Sequence, residues 1–261
     1  MINAVKMEYL KLSKKICNSF GAKVFLLFYI IVYLFFLGQW TSRIGRTSQD
    51  SIDFLSAAWA MHGMFFGSFF NIILGTTLLG NEYVNRNMGN MLFYMGKRKM
   101  IGAKIIMIAL TQLIAILVVS VLAFIEILWT GHTFEIEDIV QYKILIQFCL
   151  VWISCVGTSL FAMMLTILVQ KEVIVNLICI FIMFSSYIVP SSMAMKIMYV
   201  MPSIYLTNCM KNIFHGVEKY GVNLGTMKGW TSMQGLLVFC CFMLIYVIGM
   251  LTVLDRKEVQ L

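Results

Sequence analysis

Apolar positions in this chain gather in long unbroken runs and do not alternate with polar ones. Six stretches, 24–42, 54–81, 105–125, 144–170, 173–195 and 229–254, carry no Asp, Glu, Lys or Arg. They are 19 to 28 residues long and hold 144 of the 261 residues. About 20 apolar residues of helix cross a bilayer, and in lipid each backbone polar group must be satisfied inside its own helix. A soluble helix would place charges on its outer face every few residues. The pattern predicts an all-α integral membrane protein with six transmembrane helices, at 24–42, 54–81, 105–128, 144–170, 173–190 and 231–254.

The parts between the runs are too short for a second core, so 1–261 reads as one membrane domain. The first run follows a lysine-rich leader and has no small-residue cleavage site after it, which predicts a retained span, not a removed signal. Within residues 1–23, Ile2, Val5, Tyr9, Leu12 and Ile16 share one face of a helical wheel, with Lys6, Lys11, Lys14 and Lys15 elsewhere. That pattern predicts an amphipathic helix lying at the membrane surface. The stretch 190–230 is long yet rich in Met, Ile, Tyr and Phe, which predicts short re-entrant or outer helices before the sixth span.

A net charge of +8 would suit nucleic acid, but its placement argues against that. With six spans both ends share a side, and that side holds 13 of the 20 Lys and Arg residues. Most of the other seven lie in the long last loop, where the positive-inside rule is weak. Both termini are therefore expected in the cytoplasm, with lipid, and no nucleic acid, as the partner of the charge. Seven cysteines without a CxxC pair and three scattered histidines predict neither a disulfide framework nor a metal site.

The loop between spans two and three is the most informative segment. It reads GNEYVNRNMGNMLFYMGKRKMIGAK over 80–104. Met88, Met91, Leu92 and Met95 recur at i, i+3, i+4 and i+7, which predicts a two-turn amphipathic helix. Glu82 and Tyr83 precede it, and Lys97, Arg98, Lys99 and Lys104 follow. Thioether side chains adapt to irregular surfaces, so this face suits docking into an apolar groove of a partner. The plainer reading is that the basic cluster anchors span three at the headgroups.

In this loop the chain resembles the type-2 permeases of ATP-binding-cassette (ABC) exporters. Those loops have Glu-Tyr, a short apolar helix, and a basic residue seven positions before the Lys that opens span three; here these are Glu82-Tyr83, residues 88–95, Lys97 and Lys104. The family's usual Arg falls on Lys97, and its common Gly-Thr is Arg86-Asn87 in this chain. The resemblance extends over the whole chain, from basic leader to the short charged tail at 255–258. It implies a transport subunit that pairs with a second permease copy or a sister permease. Two ABC ATPase subunits, which carry the ATP and Mg, would be coupled through Glu82, Tyr83, Met88, Met91, Leu92, Met95, Lys97 and Arg98. The look is also similar to permeases that export peptide toxins such as phenol-soluble modulins, and to those giving lantibiotic immunity. That implies an amphipathic peptide as cargo, with lipophilic drugs or lipids as the alternative. The chain itself holds no phosphate loop: Arg98 follows Gly96-Lys97 where Ser or Thr is required.

Inside the predicted spans, Gly63, Gly67, Asn71 and Gly75 recur every four residues. Small residues permit close helix approach, so this stripe either packs helices within one subunit or lines the path or dimer seam. Glu126, about 22 residues into span three, is expected at the outer interface. His62 reads as a hydrogen-bonded structural group. An intramembrane protease is the enzymatic alternative, but Gly157-Thr158-Ser159 precedes Leu160 and His62 is the only histidine in a span. An ion-coupled carrier would want charges at mid-bilayer, and the runs have none.

Overall fold

A computed structural model describes residues 1–41, 47–84, 88–131, 143–188, 214, 217–220 and 232–258. Among these residues every regular element is helical. They are α1 (Ile2–Asn18), α2 (Phe20–Thr41), α3 (Ser48–Met61), α4 (Gly67–Val84), α5 (Met88–Met95), α6 (Lys97–Trp129), α7 (Ile144–Val169), α8 (Glu172–Ile188) and α9 (Ser232–Glu258). A π-helical turn, His62–Phe66, joins α3 to α4, and a 3₁₀ turn, Val217–Tyr220, precedes α9.

Three helices are long and apolar enough to cross a bilayer: α6, α7 and the Met233–Asp255 part of α9. The apolar stretches Leu26–Thr41, Gly67–Gly80 and Glu172–Met183 are shorter. Helix α7 is the axis of the packing, with 67% of its apolar window buried against 28% for α6 and 17% for α9. The outward faces of α6 and α9 carry Ile114, Leu117, Val121, Leu244 and Ile248 in the open, an apolar surface of the kind that faces lipid. Two cores form around α7. One gathers α2, α3, the Tyr220 turn, Ile116, Val119, Ala123 and Ile127 of α6 and Phe239 of α9; the other gathers α4, α5, the first part of α6, α8 and the rest of α9, and Trp152 and Met243 touch both.

The chain breaks where local chemistry requires it. Ser19 adopts extended backbone and closes α1, its N–H bonding Lys15 O at 2.9 Å, so the leader and the first apolar run are separate helices. Gly96 sits at φ 68°, ψ 147°, a region that costs a side chain dearly, and it turns α5 into α6 with no further linker. Gln170 takes left-handed backbone at φ 60° and caps α7, its N–H bonding Thr166 O at 2.8 Å. Helix α8 begins two residues later. Two helices differ from a simple rod over the expected spans. The helix that carries span three begins eight residues before 105, with the basic triplet Lys97-Arg98-Lys99 as its first turn. The stretch expected as span two is divided by the π turn.

At the start of α3, Thr47 and Asp50 form a capping box, each side chain bonding the other's backbone N–H at 3.2 Å. Asp50 also accepts from Lys219, which ties the 3₁₀ turn to α3 and sets the Tyr220 ring 5.6 Å from Trp40. The Lys219 ammonium first, then the Thr47 hydroxyl, hold the Asp50 carboxyl down at about 2, below its usual 3.8. A carboxyl lowered by folding stabilises the folded state above its unfolded value and stops doing so as pH falls through the folded one. Between about pH 4 and pH 2 the 3₁₀ turn is therefore expected to release from α3. In a variant keeping Trp40 as its sole tryptophan, fluorescence should change across that window, and Lys219→Met should abolish the transition.

Candidate functional site

Beneath the loop helix lies a cluster of buried charge. Lys104, on the second full turn of α6, is 0% exposed. Its ammonium donates to Glu82 Oε1 at 2.8 Å, Glu8 Oε2 at 3.0 Å and Leu78 O at 2.5 Å. Lys11 approaches from the open side, donating to Glu82 Oε1 at 3.1 Å, Glu8 Oε1 at 3.2 Å and Met91 Sδ at 3.3 Å. Two acids face two ammonium groups, so the cluster is neutral as a unit. Bringing such charges out of water costs several kcal/mol per ion, returned only when each finds its partner. Three elements distant in sequence, α1, α4 and α6, are thereby locked at one point. Burial first, and the neighbouring Glu82 carboxylate second, push the Tyr83 hydroxyl up to about 12.

The residues named from the sequence divide around this cluster. Glu82 and Lys104, which bracket the loop, meet directly. Met88 and Leu92 are buried in the chain's own core, Met91 packs against it, and Met95 is half-buried at the helix end. The methionine face of α5 is thus turned inward. The face left bare carries Phe93 and Tyr94, 84% and 82% exposed, with their rings 5.5 Å apart. This corrects the expected orientation: the amphipathic period was right, but the apolar stripe it picked out supports the loop from below. Lys97 pairs with Asp255 and so joins the loop to the end of α9, while Arg98 is exposed beside it. Arg86 and Asn87 lie outside the described residues.

The small-residue stripe is also turned inward. A side chain at Gly75 would strike Ser159 O at 2.1 Å and Ala162 Cβ at 3.1 Å, and one at Gly63 would meet Val151 at 3.3 Å. Asn71 is fully buried on the same side, near Cys155. Gly63 on the π turn and Asn71 and Gly75 on α4 therefore pack against α7 inside one subunit, the first of the two alternatives that their spacing left open. Gly67 departs from the set because the π turn rotates it: its open side is covered by the His62 ring and carbonyl. His62 Nδ1 shares a 2.6 Å hydrogen bond with the Tyr29 hydroxyl. Further polar pairs stitch the helices: Ser56 to Gln147 at 2.6 Å, Gln112 to Ser159 at 2.9 Å, and Thr76 to Asn176 at 2.8 Å. Each satisfies a polar group that would be costly in an apolar interior.

No protein-family model, curated protein or solved structure matches this chain.

What remains is chemistry read from geometry. Among the described residues no group of three His, Cys, Asp or Glu could hold a metal ion, and the six described cysteines are free thiols. The ion cluster joins α1, α4 and α6 through matched charges. Glu8 was not singled out from the sequence. It is the only acid in a leader with five lysines, and it is the most buried residue of α1 at 1% exposed, while Ile2 and Tyr9 of the expected apolar face stand open. A lone acid in a basic helix is the signal that could have found it. Residues 132–142, His215, Cys209 and most of 190–230 lie outside the described residues.

Proposed function

We propose that this chain is the membrane subunit of an ATP-driven exporter, with six spans, both termini in the cytoplasm of a bacterial cell, and α5 as its contact with a separate ATPase. The observation that carries this reading is the bare Phe93–Tyr94 pair. Large aromatic side chains that stand open on a short helix are poor candidates for solvent and strong ones for anchoring a partner. The ion cluster supports the reading, because it holds that helix rigidly against α1 and α6, as a contact that passes force requires. The resemblance at Glu82-Tyr83, Lys97 and Lys104 names the partner class: an ABC ATPase in two copies, bound to two permease subunits, with ATP and Mg on the ATPase. Amphipathic peptides are the cargo that uncharged spans rich in Met and Phe suit best; an exporter of lipophilic drugs or lipids is the second choice.

The test separates the two faces of α5. Changing Phe93 and Tyr94 to Asp should leave the melting temperature of the purified chain unchanged and weaken capture of the ATPase by about 30-fold or more, the scale of losing a binding hot spot. Changing Met88 and Leu92 to Asp should instead unfold the loop, because each carboxylate would enter the core without a partner. Undiminished ATPase capture by the Phe93, Tyr94 double variant would sink the reading.

A further inference from the structure

The space beside the ion cluster has two adjoining compartments. The first is a cavity of 490 Å³ between α1, α4 and α5, whose polar wall includes Glu8, Lys11, Lys14, Lys15 and Glu82. The second is a groove of 350 Å³ whose wall is mostly apolar, with Ile16 on α1, Leu26 on α2, and Phe70, Ile73 and Leu74 on α4. Leu12, Lys15 and Thr77 line both, so the chamber with the charged wall and the apolar groove are immediate neighbours.

The charges in the first chamber do not cancel. Glu8 and Glu82 are answered by Lys104 and Lys11. Lys15 pairs with Glu172 at 4.0 Å, and Lys14 is exposed without an acid beside it among the described residues. One positive charge is left over at the mouth of an apolar groove. A ligand that fits both compartments has an anionic head and a hydrocarbon tail. We infer that this two-chambered cleft holds one anionic phospholipid of the surrounding leaflet, its phosphate on Lys14 and Lys15 and an acyl chain along Ile16, Leu26, Phe70 and Ile73. Free phosphate would fill the first chamber alone and leave the groove empty. A zwitterionic lipid would bring no net charge to answer the surplus lysine. The lipid would bridge α1 to α2 and α4 just beside the cluster that positions the loop helix.

The inference rests on the membrane reading above but not on the ATPase, and it is tested with no ATPase present. The purified full chain is exchanged into mild detergent with equal amounts of phosphatidylglycerol and phosphatidylcholine, and the lipid retained is read by native mass spectrometry. One phosphatidylglycerol should be retained in preference. The Lys14→Gln, Lys15→Gln double variant should lose that preference by about 25- to 30-fold, near a surface lysine's roughly fivefold each. Ile73→Trp, which fills the groove and leaves the lysines intact, should lower retention as well, with the melting of the lipid-free chain as its folding control. Should Ile73→Trp fail to fold, the lysine variant decides. Equal retention of the two lipids, unchanged retention by the lysine variant, or full displacement of lipid by inorganic phosphate overturns the inference. Carbonate-resistant membrane fractionation of the same preparation reports on the membrane reading separately.

Discussion

Replacing Lys104 by methionine should cost the fold about 3–5 kcal/mol, the penalty for stranding buried charges when one partner is removed. Lys104 is enclosed on all sides and donates to Glu8, Glu82 and Leu78 O, so its loss leaves two carboxylates facing each other in the interior. Lys11 can answer only part of that, being on the open side of the pair. The purified variant should melt well below the parent, and α1 should become open to protease. Adding Glu8→Gln and Glu82→Gln to the same protein should restore most of the loss, because the charges that demanded an ammonium are gone. Methionine fills the space of the lysine stem, so the comparison isolates charge from volume. Wild-type melting of the single variant would show that the cluster does not hold α1 to the spans.

The second large effect is expected at Gly75. Even Ala there brings a methyl group to 2.1 Å from the backbone oxygen of Ser159, and backbone cannot swing aside as a long side chain can. Helices α4 and α7 must then separate along their whole seam, opening gaps beside Asn71 and Gly63. Gly75→Ala should cost at the upper end of about 1–3 kcal/mol, and Gly75→Leu more, as overpacked cores do. Export should fall only in proportion to folded protein, since the seam is internal. Normal melting with lost export would return the stripe to the transport path. At Gly67 the comparable change should perturb the π turn and the His62–Tyr29 bond, without parting the two helices.

Helices were legible from the sequence because charge is absent wherever backbone must cross lipid, and that absence is visible residue by residue. The loop helix was legible for the same kind of reason, through a period of 3.6 in Met88, Met91, Leu92 and Met95. Its direction was not. A period identifies which residues share a face, but whether that face meets a partner or the chain's own core depends on what stands opposite, here a core built from helices elsewhere in the sequence. The π turn was hidden because it leaves no composition behind; one extra residue in a single helical ring shifts the phase of everything after it. Glu8 was hidden because its partner lies 96 positions away. The interior hydrogen bonds between Ser56 and Gln147 or Gln112 and Ser159 likewise join residues that no local pattern pairs.

Helix α6 runs from Lys97 to Trp129 without a break, and at 1.5 Å per residue its 33 residues make a rod about 50 Å long. Its lower end is held between Gly96, the Asp255 pair and Lys104, all within the first two and a half turns. The fulcrum therefore sits far to one side. Tilting such a rod by about 5° moves its distant tip by roughly 4 Å, the width of a methyl group. On the proposed coupling, a push at the loop too small to disturb the ion cluster would be magnified where Trp129 stands, with the shaft itself as the gear.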